Sequence, residues 1–210
     1  MPNHITTHLH IEGTQEQIAE VLAYIKGENS LFDFNKVIPM PKPLNIESGS
    51  KGERGMKYLQ GDHHALDGWS EEYRKEAIAL GEKYLFNIRV YGAPTWYDWR
   101  NRKWGTKWNA YDCEELPDGI AFNTAWCFPA PVIEALSRFF FPDIRFRFAY
   151  ADEDSSYNTG EGVLLGGEYI EQYYPDGGSP DGWRLYFETH PEDEEYYREK
   201  EDGTFEYIEE

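Results

Sequence analysis

Residues 4–11 alternate without a break, with Ile5, Thr7, Leu9 and Ile11 on one side and His4, Thr6, His8 and His10 on the other. A period of two marks a strand with one apolar and one polar face. Gly13 ends it. Thr14, with Gln17 three residues on, spells a capping box ahead of Ile18, Val21, Leu22 and Ile25, which recur at helical spacing until Gly27 stops them. The chain therefore opens β–α. The same grammar returns after Trp108. Strands are expected over 109–114 and 120–126, joined at Pro117-Asp118-Gly119. A helix follows from Pro131, carrying Val132, Ile133, Leu136 and Phe140 and closed by Pro142. In the last strand Ile144, Phe146, Phe148 and Tyr150 alternate with Arg145, Arg147 and Ala149. With the intervening stretch set aside, the order is βαββαβ, the split or ferredoxin-like α+β arrangement. It predicts a four-stranded antiparallel sheet over 4–12, 108–114, 119–126 and 143–151, with helices over 14–26 and 130–140 on one face.

Residues 31–107 read as a helical insertion after the first helix. Pro39, Pro41 and Pro43 prevent a helix early in it, Ser48 to Gly55 reads as an exposed loop, and helices are expected over Glu71–Tyr84 and Thr95–Lys103. Past Asp152, the stretches Val163–Leu165, Tyr169–Tyr173 and Trp183–Glu188 read as short strands of hairpins. The expected division is thus a ferredoxin-like domain with its insertion over 1–152 and an acidic extension over 153–210. A chain of 210 residues can bury a real core without a metal or disulfide staple. Its two cysteines, Cys113 and Cys127, form no CxxC and suit a reducing compartment. No run of 18 apolar residues is present, and MPNHITTHLHIEG lacks the basic and apolar regions of a secretory signal. The cytoplasm is the expected location, with no membrane involvement.

The net charge of −19 is unevenly spread. Residues 1–150 hold 20 acids and 17 bases, or −3; residues 151–210 hold 19 acids and 3 bases, or −16. Such an end repels nucleic-acid phosphates and argues against duplex binding. It suits a protein partner with a basic surface, or plain solubility. Within 188–210, Tyr196, Tyr197, Phe205, Tyr207 and Ile208 are interleaved with the acids, a pattern fitted to docking on a basic, partly apolar groove. The reading taken is an interaction surface that folding does not require. The competing one is that 204–208 fold back as an extra strand.

Three constellations could carry chemistry. The segment 96–109 holds four of the seven tryptophans, Trp96, Trp99, Trp104 and Trp108, among Arg100, Arg102, Lys103 and Lys107. Aromatic faces among cations can stack a base and neutralise phosphate. They can equally be packing residues with the bases solvated around them. The site residues it would supply are Trp96, Trp99, Arg100, Trp104, Lys107, Trp108 and Asn109. Second, strand parity gathers His8, His10, Asn123, Arg145 and Arg147 on the sheet face away from the two helices. That surface suits an anion or acid–base work, or is simply polar sheet, solvated or covered by the insertion. Third, Ala151-Asp152-Glu153-Asp154 with Ser156 and Asn158 spaces its oxygens like a calcium loop. The EF-hand register fails there, with Tyr157 where glycine is needed and Val163 where the bidentate Glu belongs. His63-His64, beside Asp62 and Asp67, lacks helical ligand spacing. No metal and no cofactor are expected, and no hydrolase, P-loop or dinucleotide motif is found.

The segments NHITTHLHIEGTQEQI, FDFNKVIPMP, WYDWRNRKWGTKWNAYD and FAYADED together resemble the YubB-like family of uncharacterised plasmid and phage proteins, across about residues 1–170. The resemblance implies a ferredoxin-like domain and a mobile-element origin, and it supplies no catalytic residue. The leading expectation is a non-enzymatic interaction protein of a mobile element, such as an acidic anti-defence or regulatory inhibitor of a basic host protein. The alternatives are a binder of a nucleotide or single-stranded nucleic acid through 96–109, and an enzyme using the polar sheet face.

Overall fold

The computed structural model describes residues 3–208. In chain order its elements are β1 (His4–Glu12), α1 (Gln15–Ile25), α2 (Phe34–Val37), α3 (Ser50–Leu59), α4 (Glu71–Tyr91), α5 (Trp96–Lys103), β2 (Tyr111–Leu116), β3 (Gly119–Ala125), α6 (Ala130–Phe139), β4 (Arg145–Asp152), β5 (Thr159–Leu165), β6 (Glu168–Tyr173), α7 (Pro180–Thr189), β7 (Tyr197–Glu199) and β8 (Phe205–Tyr207). They form two compact units, Met1–Ile38 with Trp104–Glu210, and Pro39–Lys103.

The first unit is built on a six-stranded sheet in the order β2-β3-β1-β4-β5-β6, antiparallel throughout. Its first four strands carry the ferredoxin-like order, with β1 between β3 and β4. The expected capping box is present: Thr14 Oγ1 accepts from Gln17 N, and Gln17 Oε1 accepts from Thr14 N. Register puts Leu9 opposite Ile120 and Phe148, and Ile11 opposite Phe146, on the face that also carries Ile5 and that buries Ile18, Val21 and Ile25 of α1 and Val132, Ile133 and Leu136 of α6. Beneath α2 lies an aromatic nest in which Phe32 meets Phe34 and Phe122 edge to face, and Phe34 meets Trp104.

Three expectations need correction. Beyond Asp152 the chain stays with the sheet, β5 pairing with β4 and β6 with β5 around the turn at Gly166-Gly167. Second, Trp183–Glu188 is not a strand but most of α7. Ser179 caps this helix by accepting from Gly182 N, with Pro180 in the first turn and Asp181 after it. The alternating look of Trp183, Leu185 and Phe187 hid a helical spacing in which Trp183, Tyr186 and Phe187 share a face. Third, Ser48–Gly55 is not an exposed loop.

That third segment belongs to the second unit, where Ser50 opens α3 and the helix packs closely along α4. Gly55 explains why glycine stands there. A Cβ on it would sit 1.7 Å from the Ala77 carbonyl oxygen, so only glycine allows the two backbones to approach this far. Gly81 of α4 faces the same crossing, 2.4 Å from Gly55 C by the same construction. Glycines that read as loop punctuation are therefore helix-contact residues. Helix α4 also runs further than expected, to Tyr91, and stops at Gly92 in the left-handed conformation.

Candidate functional site

The tryptophan-rich segment is divided between the two units. Trp96, Trp99 and Arg100 lie on α5, in the Pro39–Lys103 unit, where Arg100 stacks over Trp96 at 5.1 Å and Trp99 is buried. Trp104 is fully buried in the sheet unit and donates its Nε1–H to the Ile38 carbonyl at 2.9 Å. It presents no face to a ligand, and its place among the candidate ligand contacts is corrected to a core role. Asn109 is also structural: Oδ1 accepts from Phe34 N at 2.7 Å, and Nδ2 donates to Asp33 Oδ1 at 2.9 Å. These bonds fix the start of α2.

Lys107 and Trp108 remain, and the fold brings them beside a residue sequence reasoning passed over, Trp126. Gly105 turns in the left-handed region at φ +79°, and Thr106 donates to the Ala125 carbonyl at 2.8 Å, clamping this strand of chain to the end of β3. The Lys107 ammonium lies 4.1 Å from the Trp108 ring centre and 3.8 Å from that of Trp126. Both indoles are well exposed, at 38% and 42%. Trp126 has φ +71°, in the left-handed region that bulky residues avoid, at a cost on the order of 1–3 kcal/mol. Its N–H donates to the Asn3 carbonyl at 3.0 Å, which helps hold it there. Tyr111 meets Trp108 edge to face, and its hydroxyl bonds to His4 Nδ1 at 2.7 Å. Burial, with the negative charges of Asp112 and Glu153, pushes that hydroxyl's pKa up to about 12. No sequence signal marks Trp126, because it takes a backbone angle, not a motif, to single it out.

The polar sheet face is assembled as strand parity predicts and then largely filled. Thr6 pairs with Asn123, His8 with Ala149, His10 with Arg147 and Glu12 with Arg145, all on one side. Helix α7 packs on this side and buries Ala149 and Ala151. His190, at the end of α7, reaches Thr6 Oγ1 with Nε2 at 2.9 Å, and Thr6 in turn donates to Asn123 Oδ1 at 2.9 Å. At the other end His10 Nδ1 bonds to Asp118 Oδ1 at 2.8 Å, and Arg147 Nε lies 3.8 Å from Glu12. Arg147 also shares its groove with Glu161 and Glu171. Its charge is met by acids, so this end is a poor anion site. Arg145 is exposed at the start of β4.

Burial lowers the His8 pKa, with His10 and then His190 adding to the shift, while Glu192 and Glu114 act against it. The unfolded chain therefore takes up a proton at His8 before the folded one does. Stability from this group is intact above the ordinary histidine pKa of about 6.5 and is lost as pH falls through it, until the lower folded value is reached. The melting temperature should drop between pH 7.5 and pH 5.5, and His8→Gln should flatten that drop. His64, raised by Asp67, works in the opposite sense but is fully exposed and counts for little. An unchanged pH slope in the His8 variant would refute this assignment.

The 151–158 loop is a hydrogen-bonded turn: the Asp152 carboxylate accepts from Asn3 Nδ2, Asp154 N and Asn158 Nδ2. Among the described residues no group of three or more His, Cys, Asp or Glu is placed to hold a metal, and no helix is long and apolar enough to cross a membrane. The Pro39–Lys103 unit has a groove of about 540 Å³ lined by Pro43, Ile46, Ala79 and Phe86, residues that no sequence motif marked.

The C-terminal end folds back, but not as a strand of the main sheet. Strands β7 and β8 form their own two-stranded hairpin, and its Tyr197 and Phe205 pack on Trp183 at 5.0 and 5.6 Å between ring centres. Tyr186, on the same cluster, bonds to the Asp193 carboxylate, and Arg198 pairs with Glu206 across the hairpin. Glu192, Glu194, Glu195, Glu199, Glu201 and Asp202 all point to solvent, and beside them Tyr196, Tyr207 and Ile208 are 49%, 62% and 45% exposed.

The chain thus carries a ferredoxin-like α+β domain. Residues 103–205 match the family model described as the ferredoxin-like domain in Api92-like protein, a span that takes in α7 and most of the hairpin. Among solved structures, the crystal structure of the protein Api92 from Yersinia pseudotuberculosis is similar to this chain at a TM-score of 0.46 and 12% identity, covering 84% of this chain and 99% of that one. No curated protein matches.

Proposed function

We propose that the protein is a non-enzymatic interaction protein that binds a basic partner through its C-terminal hairpin. One observation carries this reading. The hairpin spends Tyr197 and Phe205 on its own packing, yet keeps Tyr196, Tyr207 and Ile208 exposed among outward-facing acids. Tyr207 and Ile208, with Arg198 and Glu206, line a surface recess of about 520 Å³. Exposed apolar groups inside an acidic field are complementary to a basic surface with apolar anchors. The acids would speed and orient the encounter, and the aromatics would supply the contact area. The resemblance of the opening strand and the WGTKWNAYD segment to YubB-like proteins supports a mobile-element origin. With that origin the setting would be the host-cell cytoplasm, and the acidic C-terminal end would suit an inhibitor of a basic host protein.

The test uses a fluorescent peptide rich in arginine and leucine and the full-length chain. Binding should weaken several-fold as salt rises from low to physiological strength, since exposed charges are screened over about 8–10 Å. It should also fall in Glu192→Gln/Glu194→Gln/Glu195→Gln and, at constant charge, in Tyr196→Ala/Ile208→Ala. Variants that bind like the parent would exclude the hairpin as the docking surface.

A further inference from the structure

Trp126 accepts an unfavourable backbone conformation yet stays 42% exposed, so burial in the core does not explain it. Trp108 stands exposed beside it, and both are carried by backbone held to the core through the Thr106–Ala125 and Trp126–Asn3 hydrogen bonds. What the two rings hold is an ammonium, that of Lys107, within 4.1 Å of both ring centres. Indole faces attract cations through their quadrupoles, most strongly among the aromatic side chains. The acids near Tyr111, Asp112 and Glu153, add negative potential to the same corner.

We propose that Trp108 and Trp126 form an aromatic cage for a lysine or arginine side chain of a partner protein, with Lys107 as its resident plug. The plug shows which chemistry the cage selects. A partner cation enters by displacing the Lys107 ammonium into water, so in the free protein Lys107 occupies the ring faces that a competing cation would take. A nucleobase is the weaker fit, because a nucleotide brings phosphate into a corner with acidic neighbours, where the Lys107 ammonium is already engaged by the rings. The inference rests on the basic-partner reading above and adds a second contact point to it, but it can be tested without the hairpin.

The probe is tetramethylammonium, titrated at constant ionic strength into the full-length chain with 15N-labelled tryptophan. The indole N–H signals of Trp108 and Trp126 are assigned from Trp108→Ala and Trp126→Ala. In Lys107→Ala, and in the shape-conserving Lys107→Met, both signals should shift, with affinity about fivefold or more above the parent because the internal competitor is gone. Adding either tryptophan substitution should reduce that affinity about fivefold again. Nα-acetyl-lysine amide should shift the same signals. Two unshifted indoles in both Lys107 variants would overturn the proposal, as would a response to AMP alone, which would make the pair a base-stacking site. Neutralising Glu192, Glu194 and Glu195 should leave tetramethylammonium binding in the Lys107 variants intact. Loss of peptide binding with a working cage, or the reverse, therefore tells which of the two readings has failed.

Discussion

Trp104→Ala should destabilise the protein by about 3–5 kcal/mol, the usual cost of emptying a core aromatic position, whereas Trp108→Ala should cost only about 0.5–1 kcal/mol. The two residues are four apart and equally tryptophan in the sequence. Trp104, however, is fully buried against Phe34 and donates to the Ile38 carbonyl, so its truncation leaves a cavity and takes the indole donor from a half-buried carbonyl. Trp108 gives up only an exposed contact to Lys107 and Tyr111. Chemical denaturation of both single variants measures the difference. If Trp104→Ala unfolds the chain, Trp104→Phe, which keeps a ring but loses the indole N–H, should restore a cooperative transition below the parent's midpoint. Equal, small losses in both alanine variants would mean that the aromatic nest under α2 does not carry the load assigned to it.

This contrast shows where sequence reasoning reaches and where it stops. The alternation in 4–11, the capping box at Thr14 and Gln17, and the alternation in 144–150 are local signals with a fixed period, and each identified its element within two residues or so. Composition could not tell that Trp104 faces inward and Trp108 outward, because a left-handed turn at Gly105 separates them and only the folded backbone reveals it. Parity did collect the polar face, since a strand fixes the side of every residue at once. It could not foresee that α7 would come to cover that face, because the covering residues lie more than 50 positions away from Thr6 and His8 in sequence. Helix α7 was missed for a related reason. Trp183, Tyr186 and Phe187 are strand-favouring aromatics, and the tertiary burial of Trp183 and Tyr186 overrides that preference.

The same helix reverses the expectation for the C-terminal end. Deleting residues 191–210 should destabilise the sheet unit and expose apolar surface. In the intact chain Trp183 is 7% exposed, sheltered by Tyr197 and Phe205 from the hairpin and by Tyr186 and Phe187 from its own helix. Removing the hairpin uncovers the indole and one face of Phe187, and it takes the Asp193 acceptor from Tyr186 and the Tyr197 hydroxyl from Ser155. Burial of an aromatic side chain is worth about 1.5–3 kcal/mol, so uncovering parts of these two rings costs a few kcal/mol. Relief of repulsion among the removed acids offsets some of this at low salt, and less as salt screens it. The truncated chain should therefore melt lower than the parent and bind a dye specific for exposed apolar surface, with the deficit growing at higher salt. Trp183→Ala in the full-length chain should show a comparable loss, because it removes the same cluster from the other side. A truncated protein that melts with the parent and binds no dye would mean that the hairpin's contact with α7 contributes nothing, and would return the C-terminal end to a purely electrostatic role.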